Sequence, residues 1–143
     1  MKYFCKNTTT MKTRMVATAA ILGMIAIILG AFGAHALKKV LTIEQLATFE
    51  TGVRYQMYHA LFLLFIGLID ELSDKTKKTI YYLVVSGVLL FSGSIYLLAT
   101  NDLTTFDFKT IGFVTPIGGL LLILAWSVLL VRILNKKSQN QKI

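Results

Sequence analysis

Long runs of apolar residues dominate the chain, and four of them are long enough or nearly long enough to cross a bilayer. They lie at residues 15–37, 55–69, 80–100 and 111–134. A membrane-crossing helix needs about 20 predominantly apolar residues, so the second run is short by this measure. Because a backbone in lipid must satisfy its own hydrogen bonds, the pattern predicts an all-α polytopic membrane protein. Its membrane domain, residues 15–134, is predicted to be a bundle of four transmembrane helices.

The segment that precedes the second run, residues 42–54, has the pattern of an amphipathic helix. Apolar residues recur at steps of three and four from Ile43 onwards. Thr42 followed three residues later by Gln45 fits a capping box, in which each side chain bonds the amide of the other residue. We therefore predict a helix that begins near Thr42, lies along the membrane interface and bends at Gly52 into the second span. The alternative is one long helix whose first turns project from the membrane.

The fourth run contains the only proline of the chain, Pro116, directly after Thr115. Proline suits the first position of a helix, because its missing amide hydrogen would have no helical partner there. Threonine is a good cap before it. The sequence therefore predicts a helix that starts at Pro116, with a kink in one longer helix as the alternative.

The composition agrees with a membrane protein and indicates which partners its positive charge contacts. Hydrophobic residues make up 55% of the chain and charged residues only 15%, whereas a soluble domain is typically about 25% charged. The formal net charge is +8, but the basic residues lie between and outside the apolar runs rather than on one face. This distribution indicates topology signals and contacts to anionic lipid headgroups, and it argues against a nucleic-acid partner. The expected environment is a lipid bilayer that includes anionic lipids.

The basic residues also predict an orientation. If the tails, residues 1–14 and 135–143, the second loop and Arg132 at the end of the fourth run lie inside, eleven Lys and Arg residues are cytoplasmic and four are outside. The positive-inside rule then places both termini in the cytoplasm. Ala34-His35-Ala36 resembles a signal-peptide cleavage site, but the apolar run before it exceeds the usual 7–15 residues, so we predict that the first span is retained.

Small side chains mark the helix faces that can approach closely in lipid. The first span carries them in a regular stripe with steps of four and three, and the third and fourth spans carry pairs. This pattern favours close helix packing within the chain or between copies, although glycine is also simply common in membrane helices. The predicted packing residues are Ala19, Gly23, Ala26, Gly30, Gly33, Gly87, Gly93, Gly118 and Gly119.

The predicted topology gathers polar residues near the outer surface. Because the first span ends outside and the second begins there, His35 and His59 are expected at similar depth. Polar residues inside a membrane usually face a bundle interior or water, so a structural hydrogen-bond network is the favoured interpretation. A ligand or transport site is the alternative, and metal binding is a weaker one because the sequence lacks a His-x-x-x-His repeat. The whole cluster is His35, Glu50, Arg54, Tyr55, Gln56, Tyr58, His59, Ser92, Ser94, Tyr96 and Thr115.

No motif of a known catalytic or nucleotide-binding class occurs in the chain. We find no P-loop, nucleophile elbow, zinc-protease or dinucleotide-binding pattern. No catalytic residue, metal ligand or cofactor is therefore predicted, and an enzyme is not favoured. The charged residues between the second and third spans are predicted to form a solvated cytosolic loop; they are Asp70, Glu71, Asp74, Lys75, Lys77 and Lys78.

Four segments carry a resemblance to a known family. They are GAFGAHAL at residues 30–37, TGVRYQMYHA at 51–60, LLFSGSIYLLA at 89–99 and TPIGG at 115–119. In this order they resemble the YwdK/YgdD-type family of small bacterial integral membrane proteins, which has a eukaryotic transmembrane relative and is grouped as a domain of unknown function. The resemblance implies several spans and a bacterial inner membrane, with no established activity.

Three functions are consistent with these observations. The favoured one is a structural or accessory membrane protein that packs with copies of itself or with a membrane complex. The second is a small transporter or channel with a polar site at the outer membrane face around His35 and His59. The third is a metal- or lipid-binding membrane enzyme that uses the same histidines.

Overall fold

A computed structural model of the protein describes the backbone of residues 2–140 and the side chains of residues 11–135. The described chain is helical and contains no strand, which confirms the all-α prediction. Three short 3-10 turns lie in the connections, at Leu37–Lys39, Asn101–Leu103 and Phe108–Ile111. The four long helices are α1 (Lys2–His35), α2 (Ile43–Leu68), α3 (Asp74–Ala99) and α4 (Val114–Asn140).

Three segments of the described chain are long and apolar enough to cross a membrane, namely Met11–Lys39, Asp74–Ala99 and Phe108–Asn135. They coincide with α1, α3 and α4. Helix α2 is not among them, because its first half contains charged and polar side chains such as Glu50 and Arg54. Its 26 residues nevertheless give it a length of about 39 Å at 1.5 Å per residue.

The helices form two antiparallel pairs that share one core. Helix α1 packs along α2, and α3 packs along α4, while α2 and α3 join the two pairs. Helix α1 also reaches α3, where Thr18 Oγ1 and the Tyr81 hydroxyl are 3.1 Å apart. All four helices contribute to the main core, whose most deeply buried residues are Met15, Leu63, Ile66, Ile80, Val84 and Ala125.

Small residues of α1 make most of the predicted contact with α2. Ala19 and Ala26 are buried, and a Cβ atom on Gly30 or Gly33 would touch Val53 or Phe49 respectively. Gly23, the remaining residue of the stripe, makes no such contact within the described chain, since nothing lies within 4 Å of the position that its Cβ would take.

The closest helix contact lies between α3 and α4. A Cβ on Gly118 would overlap the backbone nitrogen of Phe91, and one on Gly87 would lie 2.6 Å from Cδ2 of Leu122. Gly119 is only in ordinary contact with the Phe91 ring, and Gly93 faces open space. Gly87 and Gly118 therefore pack within the chain, whereas Gly93 has no close contact among the described residues. Close approach depends on which way a glycine faces, not on its presence in a span.

The start of α2 follows the predicted capping box. Thr42 Oγ1 accepts a hydrogen bond from the Gln45 amide at 3.2 Å, and Gln45 Oε1 accepts one from the Thr42 amide at 3.0 Å. The structure has the predicted alternative, one long helix, because α2 runs unbroken from Ile43 to Leu68 and no separate helix covers residues 42–54. Gly52 instead provides space for α3: a Cβ there would lie 2.7 Å from Cε1 of Tyr96.

Helix α4 begins two residues earlier than predicted, at Val114. Pro116 is therefore the third residue of the first turn, where the amide of any residue would still lack a helical acceptor. The predicted cap, Thr115, lies inside the helix, and its hydroxyl oxygen is 2.6 Å from that of Ser94 on α3. A tertiary bond has replaced the predicted capping bond.

The connection between α2 and α3 is not wholly solvated as predicted. Lys77 lies in the first turn of α3, and only 1% of its surface is exposed. Its Nζ donates a hydrogen bond of 3.4 Å to the carbonyl of Gly67, in the last turn of α2. A cation at the carboxyl end of a helix complements the partial negative charge of the free carbonyl groups. The other predicted loop charges remain on the outside, with Asp70 paired to Lys12 at 3.4 Å.

Candidate functional site

The predicted polar cluster contains a buried network that connects three helices. Gln56 on α2 is central to it: its Nε2 donates to the Leu22 carbonyl of α1 at 2.8 Å. Its Oε1 accepts from the Tyr96 hydroxyl of α3 at 2.9 Å. Gln56 is 4% exposed, so both bonds lie away from the lipid-facing surface. One amide side chain thus joins α1, α2 and α3.

Two serines of α3 extend this network. Ser92 donates to the Gly52 carbonyl of α2 at 2.8 Å, and Ser94 bonds both the Phe91 carbonyl and the Thr115 hydroxyl. Among the described side chains, no buried nitrogen or oxygen atom lacks a hydrogen-bond partner. The arrangement agrees with a structural network, since its donors and acceptors satisfy one another.

His59, about one helical turn after Gln56, has a separate environment. Its Nδ1 is 2.8 Å from the Tyr55 carbonyl, which requires that Nδ1 carries the hydrogen and donates it. Its Nε2 is then free to accept, and the indole Nε1 of Trp126 on α4 lies 3.4 Å from it. Both nitrogens of this nearly buried imidazole are therefore engaged by the protein itself.

Aromatic side chains bridge α2 and α4, whose backbones stay apart. The rings of Phe62 and Trp126 are stacked with centroids 4.1 Å apart. Nearer the start of α2, Tyr55 contacts Phe91 of α3 with centroids 4.9 Å apart. Between these two contacts the helices leave a space instead of packing closely.

That space is a cleft of about 660 Å³ between α2 and α4, with α3 at its base. We call it the α2–α4 cleft. Most of its wall is apolar or aromatic, and its few polar groups come from α2 and α4. The lining residues used below are Tyr55, His59, Phe91, Gly119, Trp126 and Ser127.

The remaining residues of the predicted cluster do not converge. Glu50, Arg54, Tyr58 and His35 are all exposed, and Arg54 bonds only its own helix, at the Glu50 carbonyl and the Thr51 hydroxyl. The prediction that the two histidines share one depth is wrong. Because Gly33 lies opposite Phe49, the helical rise separates His35 from His59 by roughly 18 Å along the axes. The error follows from starting the second span at Tyr55, about three turns into the real helix.

The described residues offer little for metal chemistry. No group of three or more His, Cys, Asp or Glu side chains in this part of the chain could hold a metal ion. The only nearly buried histidine, His59, already uses both nitrogens, so the arrangement fits structural and packing roles better than proton transfer.

Three contacts in the structure could not be predicted from the sequence. The engagement of Trp126 by His59, the burial of Lys77 and the contact of Thr18 with Tyr81 each join residues more than nine positions apart. Hydropathy alone finds neither such pairs nor the cleft, since both depend on how the helices are rotated.

Comparison with known proteins agrees with the resemblance in the sequence. Residues 29–119 match the family described as "Protein of unknown function (DUF423)". The chain belongs to this family. A UPF0382 membrane protein of Staphylococcus saprophyticus is 38% identical over 81% of this chain and 92% of its own length. No solved structure matches the chain.

Two further relatives carry the names of the predicted family. The UPF0382 membrane protein YwdK of Bacillus subtilis is 37% identical over 81% of this chain and 92% of its own length. The UPF0382 inner membrane protein YgdD of Escherichia coli K12 is 36% identical over 88% of this chain and 93% of its own length. The chain is thus a member of a family of membrane proteins of unknown function, and the predicted resemblance is confirmed.

Proposed function

We propose that the protein is a non-catalytic accessory protein of the bacterial inner membrane, which acts by packing a helix face against a second copy or another membrane protein. The observation that carries the proposal is Gly23 of α1: it belongs to the small-residue stripe, yet a Cβ atom there would meet no atom of another element within 4 Å. Small residues without a partner in the chain are where a further helix can approach closely in lipid.

The uncovered surface is greatest on the same helix. Only 17% of the most apolar window of α1 is buried by the rest of the chain, compared with 39% for α3. The buried polar side chains form their hydrogen bonds within the protein, as the two bonds of Gln56 illustrate. These features support packing over transport, which would require polar groups available to a solute.

The packing proposal is tested by Gly23→Leu in the full-length protein. Because no atom of another described element lies within 4 Å of a Cβ at this position, the variant should fold normally, as judged by circular dichroism and thermal stability. Cross-linking in native membranes followed by blue-native electrophoresis should show an assembly for the wild type and its loss in the variant. Gly93→Leu is the matched control, because it makes the same change at an open position on α3. A monomeric wild type, or an assembly that survives Gly23→Leu, would overturn the proposal.

We also infer that α2 is a fourth membrane span, with both termini cytoplasmic. Two of its polar residues, Gln56 and His59, are buried against other helices, so they do not expose polar groups to lipid as hydropathy alone assumes. The helix lies antiparallel to α1 over most of its length, from Phe49 against Gly33 to Gly67 against Met15. An even number of crossings and the distribution of Lys and Arg support this orientation.

The single cysteine of the chain makes the orientation measurable. Cys5 lies in the N-terminal tail, and no other cysteine competes for a maleimide. In spheroplasts, a membrane-impermeant maleimide should label Cys5 only after permeabilisation. A Cys5→Ser/Thr105→Cys double variant, whose thiol lies in the α3–α4 connection, should be labelled without permeabilisation. Labelling of Cys5 in intact spheroplasts would refute the cytoplasmic assignment.

A further inference from the structure

The α2–α4 cleft opens sideways, toward the lipid that would surround the protein. Its walls come from α2 and α4, which touch mainly through aromatic side chains, and α3 closes only the base. Several wall residues are half exposed or more, including Trp126 at 52% and Ile123 at 63%. A membrane component can therefore reach the cleft without passing through water.

The dimensions of the cleft select among membrane components. Its volume of about 660 Å³ falls within the range of about 300–1,000 Å³ that is typical of small-molecule sites. A helix about 10 Å across fills roughly 420 Å³ per turn, so the cleft would hold fewer than two turns of one. Along α4 it extends from Gly119 to Leu130, about 16 Å at the helical rise, which is close to the depth of one leaflet.

The chemistry of the wall fits an amphipathic occupant with an apolar chain. The wall is predominantly hydrophobic and aromatic, and polar side chains are few. His59 already bonds Tyr55 and Trp126, so it offers a polarisable flat surface rather than a free ligating atom.

We propose that the α2–α4 cleft binds one hydrocarbon chain of a membrane phospholipid. The chain lies along α4 between Gly119 and Leu130, over the Phe91 ring. This site is independent of the packing face on α1, so either proposal can fail without the other.

The only tryptophan of the protein, Trp126, lies in the wall of the cleft and serves as the reporter. Delipidated full-length protein in detergent is titrated with phosphatidylglycerol whose acyl chains are brominated, which quenches a tryptophan on contact. Binding in the cleft should give saturable quenching at about one lipid per protein, reversed by an excess of unbrominated lipid. Quenching that only rises in proportion to the lipid fraction of the micelle would mean bulk contact and would overturn the proposal.

Ser127→Phe fills the cleft from α4 and should weaken the saturable component by at least about tenfold. The change is mild for the fold, because Ser127 is exposed and its hydroxyl bonds only the Ile123 carbonyl of its own helix. Leu124→Phe is the control: it adds an aromatic ring to an exposed position of α4 outside the cleft and should leave the titration unchanged. If Ser127→Phe fails to fold, Gly119→Leu blocks the other end. Equal binding by wild type and a folded cleft-filling variant would refute the site.

Discussion

Gly118 of α4 lies against the backbone of Phe91 so closely that a Cβ atom would overlap the Phe91 amide nitrogen. The atoms that a larger residue would meet belong to a helix backbone, which cannot move aside as a flexible side chain can. The α3–α4 contact therefore depends on glycine at this position more strictly than at any of the other glycines named above.

Gly118→Ala should consequently destabilise the protein by about 1–3 kcal/mol, the usual cost of an added methyl group in a closely packed region. The measurement is the free energy of unfolding in mixed micelles, from the loss of helical circular dichroism as sodium dodecyl sulfate is added. Gly93→Ala is the control: its Cβ enters open space, so the higher helix propensity of alanine should leave stability unchanged or raise it by up to about 1 kcal/mol. Equal effects of the two changes would contradict the assigned contact.

Tyr96→Phe removes the hydroxyl that donates a hydrogen bond to Gln56 but leaves the ring packed against Phe49. We expect a loss of about 0.6 kcal/mol, the mean measured for hydrogen bonds between membrane helices, and at most about 1.7 kcal/mol. Gln56→Met should cost more, since it also removes the bond to the Leu22 carbonyl. In a double-mutant cycle the combined variant should lose less than the two single variants together. Strictly additive losses would show that the two side chains do not interact.

The two histidines should respond differently to removal. His59→Ala deletes a nearly buried ring and leaves the indole of Trp126 without its acceptor, so we expect a loss of about 1–3 kcal/mol. His35→Ala changes an exposed side chain and should stay within about 0.5 kcal/mol of the wild type. Thermal unfolding of the purified variants in one detergent compares them directly. A large effect of His35→Ala on stability would refute the separation of the two sites.

Lys77→Met keeps the aliphatic stem of the buried lysine and removes its charge and its hydrogen bond to the Gly67 carbonyl. We expect a loss of about 1 kcal/mol, combining a single bond with the interaction at the end of α2. Lys78→Met, at the exposed neighbouring position, is the control and should have little effect. Unfolding curves that coincide for the two variants would mean that the Lys77 ammonium does not stabilise the end of α2.

Local signals in the sequence predict the structure well, because they depend on neighbours in the chain. The capping box of Thr42 and Gln45 forms as predicted. The apolar runs become α1, α3 and α4 for the same reason. The second apolar run starts about three turns after the helix itself begins at Ile43, because hydropathy excludes the turns that carry Glu50 and Arg54 although they are helical.

The features that the sequence does not predict depend on helix rotation. Gly23 and Gly118 are both glycines within predicted membrane spans, yet Gly23 faces open space and Gly118 faces a helix backbone. Lys77 appears as one of several loop lysines, and only the position of the last turn of α2 distinguishes it. The candidate site shows the same limit: His59 is named correctly as a polar residue of interest, but its partner Trp126 lies 67 positions away.

The hydrogen bond from Ser92 to the Gly52 carbonyl has a consequence for how the two helix pairs stay aligned. Lipid is as apolar as the side chains, so sliding one helix along another by one turn replaces apolar contacts with other apolar contacts of similar energy. A directional bond to one particular carbonyl does not survive such a slide. The bond between Ser92 and Gly52 therefore fixes the register of α3 along α2. Contacts with lipid set only how deep the helix pairs lie in the membrane.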